Sequence, residues 1–269
     1  SWAQFSLGNM YLDGLGVKED PKRACELYKL AADQGHHLAQ FNLGAMYEQG
    51  QGVMQSDPLA FKYWKLSAVQ GYAGAQFNVG NYYYSGTVVE QSDSAACRHY
   101  KLAADQGHHH AQRNLGNMYS QGKGVVQSDI LSFKYYKLSA EAGDAIAQSK
   151  VGFYYASGRS GTRSFAKARE WWTKAAEQGN EGANQYLRVL DDEMEGIKTT
   201  SSSNFTDNST VLCSKCNKPA QTNRTLRSCK CKSAQYCNNT CYHAHWKEHK
   251  TEHNRIVKLL PSTGETKEE

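Results

Sequence analysis

Six cysteines and four histidines crowd into residues 213–253: Cys213, Cys216, Cys229, Cys231, Cys237, Cys241, His243, His245, His249 and His253. Thiolates and neutral imidazoles at this density form the donor set that zinc prefers. Disulfides are the competing use, and six cysteines allow about fifteen pairings. Paired thiols interleaved with histidines favour metal. A segment this short cannot bury enough apolar surface to fold alone, so metal must supply folding free energy of order 10 kcal/mol per site. Spacing by itself leaves the ligand assignment open. Cys241, His245, His249 and His253 recur at intervals of four, so on a helix all four face one way and His245 competes with its neighbours.

The order CxxC, CxC, YCxxxC, then WxxHKxxH, running from Cys213 to His253, resembles the MYND zinc finger. That resemblance implies two Zn2+ ions in interleaved sites, the first held by Cys213, Cys216, Cys237 and Cys241 and the second by Cys229, Cys231, His249 and His253. Two departures bear on the second site. Only Lys230 separates Cys229 from Cys231, where the family usually has two residues, and His253 stands where the family normally has a final cysteine. The second site is then formally neutral, against −2 for the four-cysteine site, so metal retention should differ between them. The family also binds short proline-rich peptides in a groove whose wall carries a glutamine directly after the sixth cysteine and a tryptophan four residues on. Trp246 matches that tryptophan, Tyr242 replaces the glutamine, and Lys230 lies in the shortened stretch beside the groove. Partner binding is therefore expected at Tyr242, Trp246 and Lys230, and the competing reading makes Trp246 the small core of the finger.

Two further histidine tracts, His36-His37 and His108-His109-His110, raise the same question. They lie two repeat units apart. With helices packed 8–10 Å from one another, the tracts should be separated by roughly 20 Å, too far to share an ion. The reading adopted is a solvated turn copied by duplication.

The elements that must carry these residues follow from a period of 36: Ala3, Ala39, Ala75, Ala111, Ala147 and Ala183 open the same pattern without insertion. Gly8, Gly44, Gly80, Gly116 and Gly152 keep one phase, and Tyr11, Tyr47, Tyr83, Tyr119 and Tyr155 a second. Tyr28, Trp64, Tyr100, Tyr136 and Trp172 keep a third, while Gly35, Gly71, Gly107, Gly143 and Gly179 keep a fourth. Within one unit Ala39, Leu43, Met46 and Tyr47 fall on one helical face, and Gly50 closes that helix. Ser56, Asp57 and Pro58 offer cap and first-turn chemistry for a second helix, which carries Phe61, Trp64 and Ala68 and ends before Gly71. Glycine inside a helix costs about 1 kcal/mol against alanine, so the recurrence of Gly44 and its equivalents predicts close backbone approach by the partner helix. Gly44→Leu should open the stack.

This pattern, AxxxLGxxYxxG, then GV, then a helix ending in AAxxG, resembles the Sel-1-like repeat, a relative of the tetratricopeptide repeat. The resemblance implies an all-α, right-handed α-solenoid of helix pairs that scaffolds protein complexes. A unit of this length cannot bury its own apolar face, so neighbours must stack. A second period overlies the first: KLAADQGHH recurs in units one and three, and QSD, FKY and KLSA recur in units two and four, so the copied unit is 72 residues long. At one phase this gives Cys25, Phe61, Cys97 and Phe133, which makes the two cysteines core hydrophobes.

The chain is thus expected to divide into a solenoid over 1–196, with units beginning near 3, 39, 75, 111 and 147 and a capping helix from 183, then a flexible Ser/Thr/Asn linker over 197–211. A finger over 212–258 and a disordered tail over 259–269 follow. Ser1 in mid-helix suggests a piece of a longer array. Residues 1–198 carry 20 basic and 20 acidic side chains, whereas 211–258 carry ten basic against Glu248 and Glu252. With six thiolates and two zinc ions counted, that segment stands near +6, suited to an acidic protein segment or to nucleic acid. The first expectation is a non-enzymatic adaptor, the solenoid holding one protein and the finger recruiting another through a proline-rich or acidic peptide. The alternatives are a basic module binding nucleic acid and an accessory scaffold of a larger methyltransferase or protein-degradation complex. No nucleophile-base pair, phosphate loop or cofactor motif stands out, which argues against an enzyme and a small-molecule substrate. Reduced thiols holding metal, without a span or signal, point to cytoplasm or nucleus.

Overall fold

The computed structural model describes residues 1–159 and 161–202 and two short strands at 227–228 and 235–236. Ten helices form the first of two compact units, Ser1–Gln178. They alternate in chain order as α1 (Trp2–Asp13), α2 (Pro21–Asp33), α3 (His37–Gln49), α4 (Asp57–Val69), α5 (Ala73–Ser85), α6 (Asp93–Asp105), α7 (His109–Gln121), α8 (Asp129–Glu141), α9 (Ala145–Ser157) and α10 (Phe165–Glu177). Each packs on its neighbours in sequence, the arrangement of a helical solenoid.

The punctuation is chemical. Each odd-numbered helix ends on a glycine in the left-handed region, as at Gly50 (φ 69°), where an added Cβ would also press on the Gln55 side chain. Even-numbered helices start on Asp20, Ser56, Ser92, Ser128 and Ser164, and all of these except Ser56 accept a hydrogen bond from the third residue on. Ser56 occupies the cap position without that bond, so the cap expected there is positional only, and Pro58 in the first turn remains as the start signal.

A close approach is present at every unit, but an aromatic ring of the partner helix, rather than its backbone, meets the glycine. A Cβ on Gly44 would stand 2.5 Å from Trp64 Nε1, and on Gly8, Gly80 or Gly116 it would stand 2.7–2.8 Å from the ring of Tyr28, Tyr100 or Tyr136. Gly152 abuts Trp172 likewise. These five aromatics are buried, and each polar atom has its own outlet. The indole N–H of Trp64 donates to the carbonyl of Phe41 and that of Trp172 to the carbonyl of Ser149. The hydroxyls of Tyr28, Tyr100 and Tyr136 donate to Asn9, Asn81 and Asn117 Oδ1 at 2.5–2.8 Å. Units with tryptophan carry Ala45 or Phe153 in place of that asparagine. Cys25 and Cys97 are free, buried thiols whose pKa burial pushes up, in accord with a packing role.

Neighbouring units are also tied by a ladder of buried glutamines. Gln40, Gln76, Gln112 and Gln148 each donate to the carbonyl eight residues earlier, at 3.1–3.3 Å. Gln40, Gln76 and Gln148 in turn accept from Gln70, Gln106 and Gln178 at 2.8 Å. The second unit, Gly179–Glu269, holds α11 (Glu181–Ser202), with Ala183, Tyr186 and Leu190 buried. This helix continues into the 197–211 stretch expected to be linker, because each added residue of a helix already begun gains a hydrogen bond without a new nucleation cost. In the same unit β1 (Arg227–Ser228) pairs antiparallel with β2 (Gln235–Tyr236), Arg227 opposite Tyr236 and Ser228 opposite Gln235.

Candidate functional site

The metal-ligand set expected from the sequence, Cys213, Cys216, Cys229, Cys231, Cys237, Cys241, His249 and His253, lies outside the described residues, as do Tyr242, Trp246 and Lys230. As a donor set, six thiols and two imidazoles suit zinc.

The histidine tracts require a correction, since they are only partly solvated: His36 is buried, His37, His108 and His109 are half-buried, and His110 is exposed. His36 is only 6% exposed. Its Nδ1 accepts from Ala39 N at the start of α3, and its ring stacks on Phe5 at 4.7 Å. His108 repeats the arrangement, capping Ala111 N and stacking on Phe77 at 4.7 Å. Burial, with neighbouring histidines second, lowers the pKa of both. A cap nitrogen must be unprotonated to accept, so packing and hydrogen bonding ask for the same neutral form. In the second unit of the array Tyr72 holds this position and meets Phe41 edge to face at 4.8 Å.

Two junctions break the pattern: the last has Ser149 and Asn180 at the aromatic positions, and the one before it carries charge. Where Phe5, Phe41 and Phe77 recur, the fourth unit has Arg113, and where His36, Tyr72 and His108 recur, the next turn has Asp144. The aromatic pair becomes an ion pair, Arg113 Nη1 to Asp144 Oδ2 at 2.7 Å, while Asp144 Oδ1 caps Ala147 N at 2.8 Å. His110 Nδ1 stands 3.4 Å from the same Oδ2. His109, His110 and Asp144 bring their ligand atoms within 4.8 Å of one another. They border an open cavity of about 360 Å³ shared with Arg113, Ala142, Ile146 and Gln178. Sequence reading missed this cluster because it weighed the histidines against each other; comparing residues at one phase would have found it.

A third feature recurs on the surface. Leu30, Leu66, Leu102 and Leu138, one in each of the first four units on the even-numbered helices, are 38–52% exposed. Their neighbours on the same helices fill the core, so these leucines form a periodic apolar stripe facing solvent.

The Sel1 repeat family matches five times without a gap, at residues 3–36, 37–72, 73–108, 109–144 and 145–180. Residues 213–253 match the MYND finger. Among solved structures, the chain is similar to c5321, a protective antigen of uropathogenic Escherichia coli with an SLR fold, at 36% identity and TM-score 0.68, covering 71% of this chain and 41% of that one. It is similar also to a Sel1 repeat protein from Oxalobacter formigenes, at 33% identity and TM-score 0.63, covering 68% of this chain and 72% of that one. This chain thus spans less than half the length of the first. No curated protein matches.

Proposed function

Because the chain belongs to the Sel1 repeat family, with five units over residues 3–180, and carries a MYND finger, we propose that this protein-interaction module works as an adaptor: the solenoid holds one protein and the finger recruits another. The observation that carries the reading is the leucine stripe, which every unit from the first to the fourth keeps out of the core at the cost of exposing apolar surface. The MYND finger implies zinc binding. Two ions are the proposed content, four cysteines holding the first, and Cys229, Cys231, His249 and His253 the second. Tyr242, Trp246 and Lys230 are proposed to meet a proline-rich or acidic peptide.

The reading is non-catalytic. In the solenoid, histidines and carboxylates serve largely as caps and ion pairs. No helix among the described residues is long and apolar enough to cross a membrane. Work in the cytoplasm or nucleus is proposed from the reduced thiols that zinc requires. The concentration of ten basic residues in 211–258 favours one second reading, a nucleic-acid contact by the finger. Affinity capture with the full chain tests the adaptor: Leu66→Asp with Leu102→Asp should lose one set of proteins and Trp246→Ala another. If neither variant changes the captured set, or if nuclease treatment empties it, the adaptor reading fails.

A further inference from the structure

The junction between the fourth and fifth units departs from the repeat at four positions that lie together. Arg113 replaces phenylalanine, Asp144 replaces histidine or tyrosine, His110 stands where Leu38, Gly74 and Ile146 stand elsewhere, and Ala142 replaces the glutamine of positions 34, 70, 106 and 178. The last change has a visible consequence. Gln112 still donates to the carbonyl of Ala104, but its Oε1, buried, lacks the amide donor that Gln70, Gln106 and Gln178 supply to its equivalents. The side chain absent at Ala142 leaves room, and Ala142 lines the cavity that His109, His110 and Asp144 border. At the other junctions a glutamine stands where Ala142 does, in the first three together with an aromatic pair.

We propose that this junction is a divalent transition-metal site, with His109, His110 and Asp144 as its ligands. Two imidazoles and a carboxylate are the donor set of borderline cations such as zinc, and three protein ligands leave a coordination position for water. Asp144 is held by Ala147 N on one oxygen and by Arg113 on the other, the hydrogen-bonded state in which ligating carboxylates are found. Oδ2 keeps a lone pair for the ion. The ligand atoms must close from 4.8 Å to roughly 3.3 Å, the edge of a tetrahedron with bonds near 2 Å. Rotation of two imidazoles suffices, because His109 is half-buried and His110 exposed while Asp144 is already fixed. The Arg113 guanidinium and the positive ends of α7 and α9 oppose a cation, so affinity in the micromolar range is expected, far weaker than in a thiolate site. That difference separates the two kinds of site experimentally.

The test uses the full chain loaded with zinc. After desalting, the zinc retained reports the finger alone. Equilibrium dialysis against tens of micromolar free zinc should then add one further ion per chain. Asp144→Asn keeps an N-cap, and His110→Gln changes an exposed side chain, so both should fold, as far-UV circular dichroism will verify. Each should weaken the added ion by about tenfold or more. His37→Ala, at the equivalent turn without a facing carboxylate, should leave it unchanged. No uptake beyond the desalted content, or equal uptake by wild type and both ligand variants, overturns the proposal without touching the finger.

Discussion

Gly44→Ala should destabilise the array although alanine is the better helix former. The added Cβ would lie 2.5 Å from Trp64 Nε1, 2.6 Å from Cδ1 and 3.0 Å from Cε2. Trp64 is buried and its N–H is committed to the Phe41 carbonyl at 3.0 Å, so the indole cannot retreat without losing that bond. Overpacking costs about 1–3 kcal/mol. An N–H left unsatisfied costs a further 1–3 kcal/mol or so. Alanine returns about 1 kcal/mol in helix propensity, which leaves a net loss of about 1–5 kcal/mol, centred near 3. For an array of this size the central value lowers Tm by about 6–12 °C, read by calorimetry or far-UV circular dichroism. In a Trp64→Leu background the obstacle is gone, and Gly44→Ala should become neutral or stabilising; the double-mutant cycle isolates the contact. A Gly44→Ala protein that melts at or above wild type in the native background refutes the reasoning.

Asn81→Ala removes the acceptor of the buried Tyr100 hydroxyl and should cost about 1–3 kcal/mol by denaturant titration, whereas Ala45→Ser beside Trp64, where no hydroxyl waits, should cost less. His36 and His108 are held below the ordinary histidine pKa, so their contribution is full above about pH 6.5 and is lost as pH falls through that value toward the folded one. Urea midpoints should therefore drop between pH 7.5 and 5.5, and His108→Asn, which keeps a cap, should shrink the drop. A strong zinc chelator should abolish amide protection over 213–253 and leave that of α1 to α10 intact, as hydrogen exchange will read.

The period, the helix pairs and the core were legible because each rests on a local rule: glycine at the end of a helix, alanine and aromatic residues on one stripe, glycine wherever a ring must approach. Cys25 and Cys97 could be placed in the core from phase alone. The histidine turns were misread because a residue after glycine looks solvated, and burial of His36 depends on Phe5 and Trp2, which are remote in sequence. The alternation of Asn with Tyr and of Ala or Phe with Trp was present in the letters. Its meaning needed the hydroxyl and indole positions, since one ring reaches across the helix pair and the other reaches the backbone. The His109, His110 and Asp144 cluster joins residues 34 or more apart, and only the stacking of units sets that distance. The eight proposed zinc ligands rest on their spacing and on the finger they match.

The central claim is that one molecule holds two proteins at once. Native mass spectrometry of complexes captured on the zinc-loaded full chain tests it directly. A species containing one copy of the chain with a solenoid-bound and a finger-bound protein together, reduced to the solenoid-bound one by chelation, is the predicted result. Partners that only ever appear singly, each displacing the other, would contradict it.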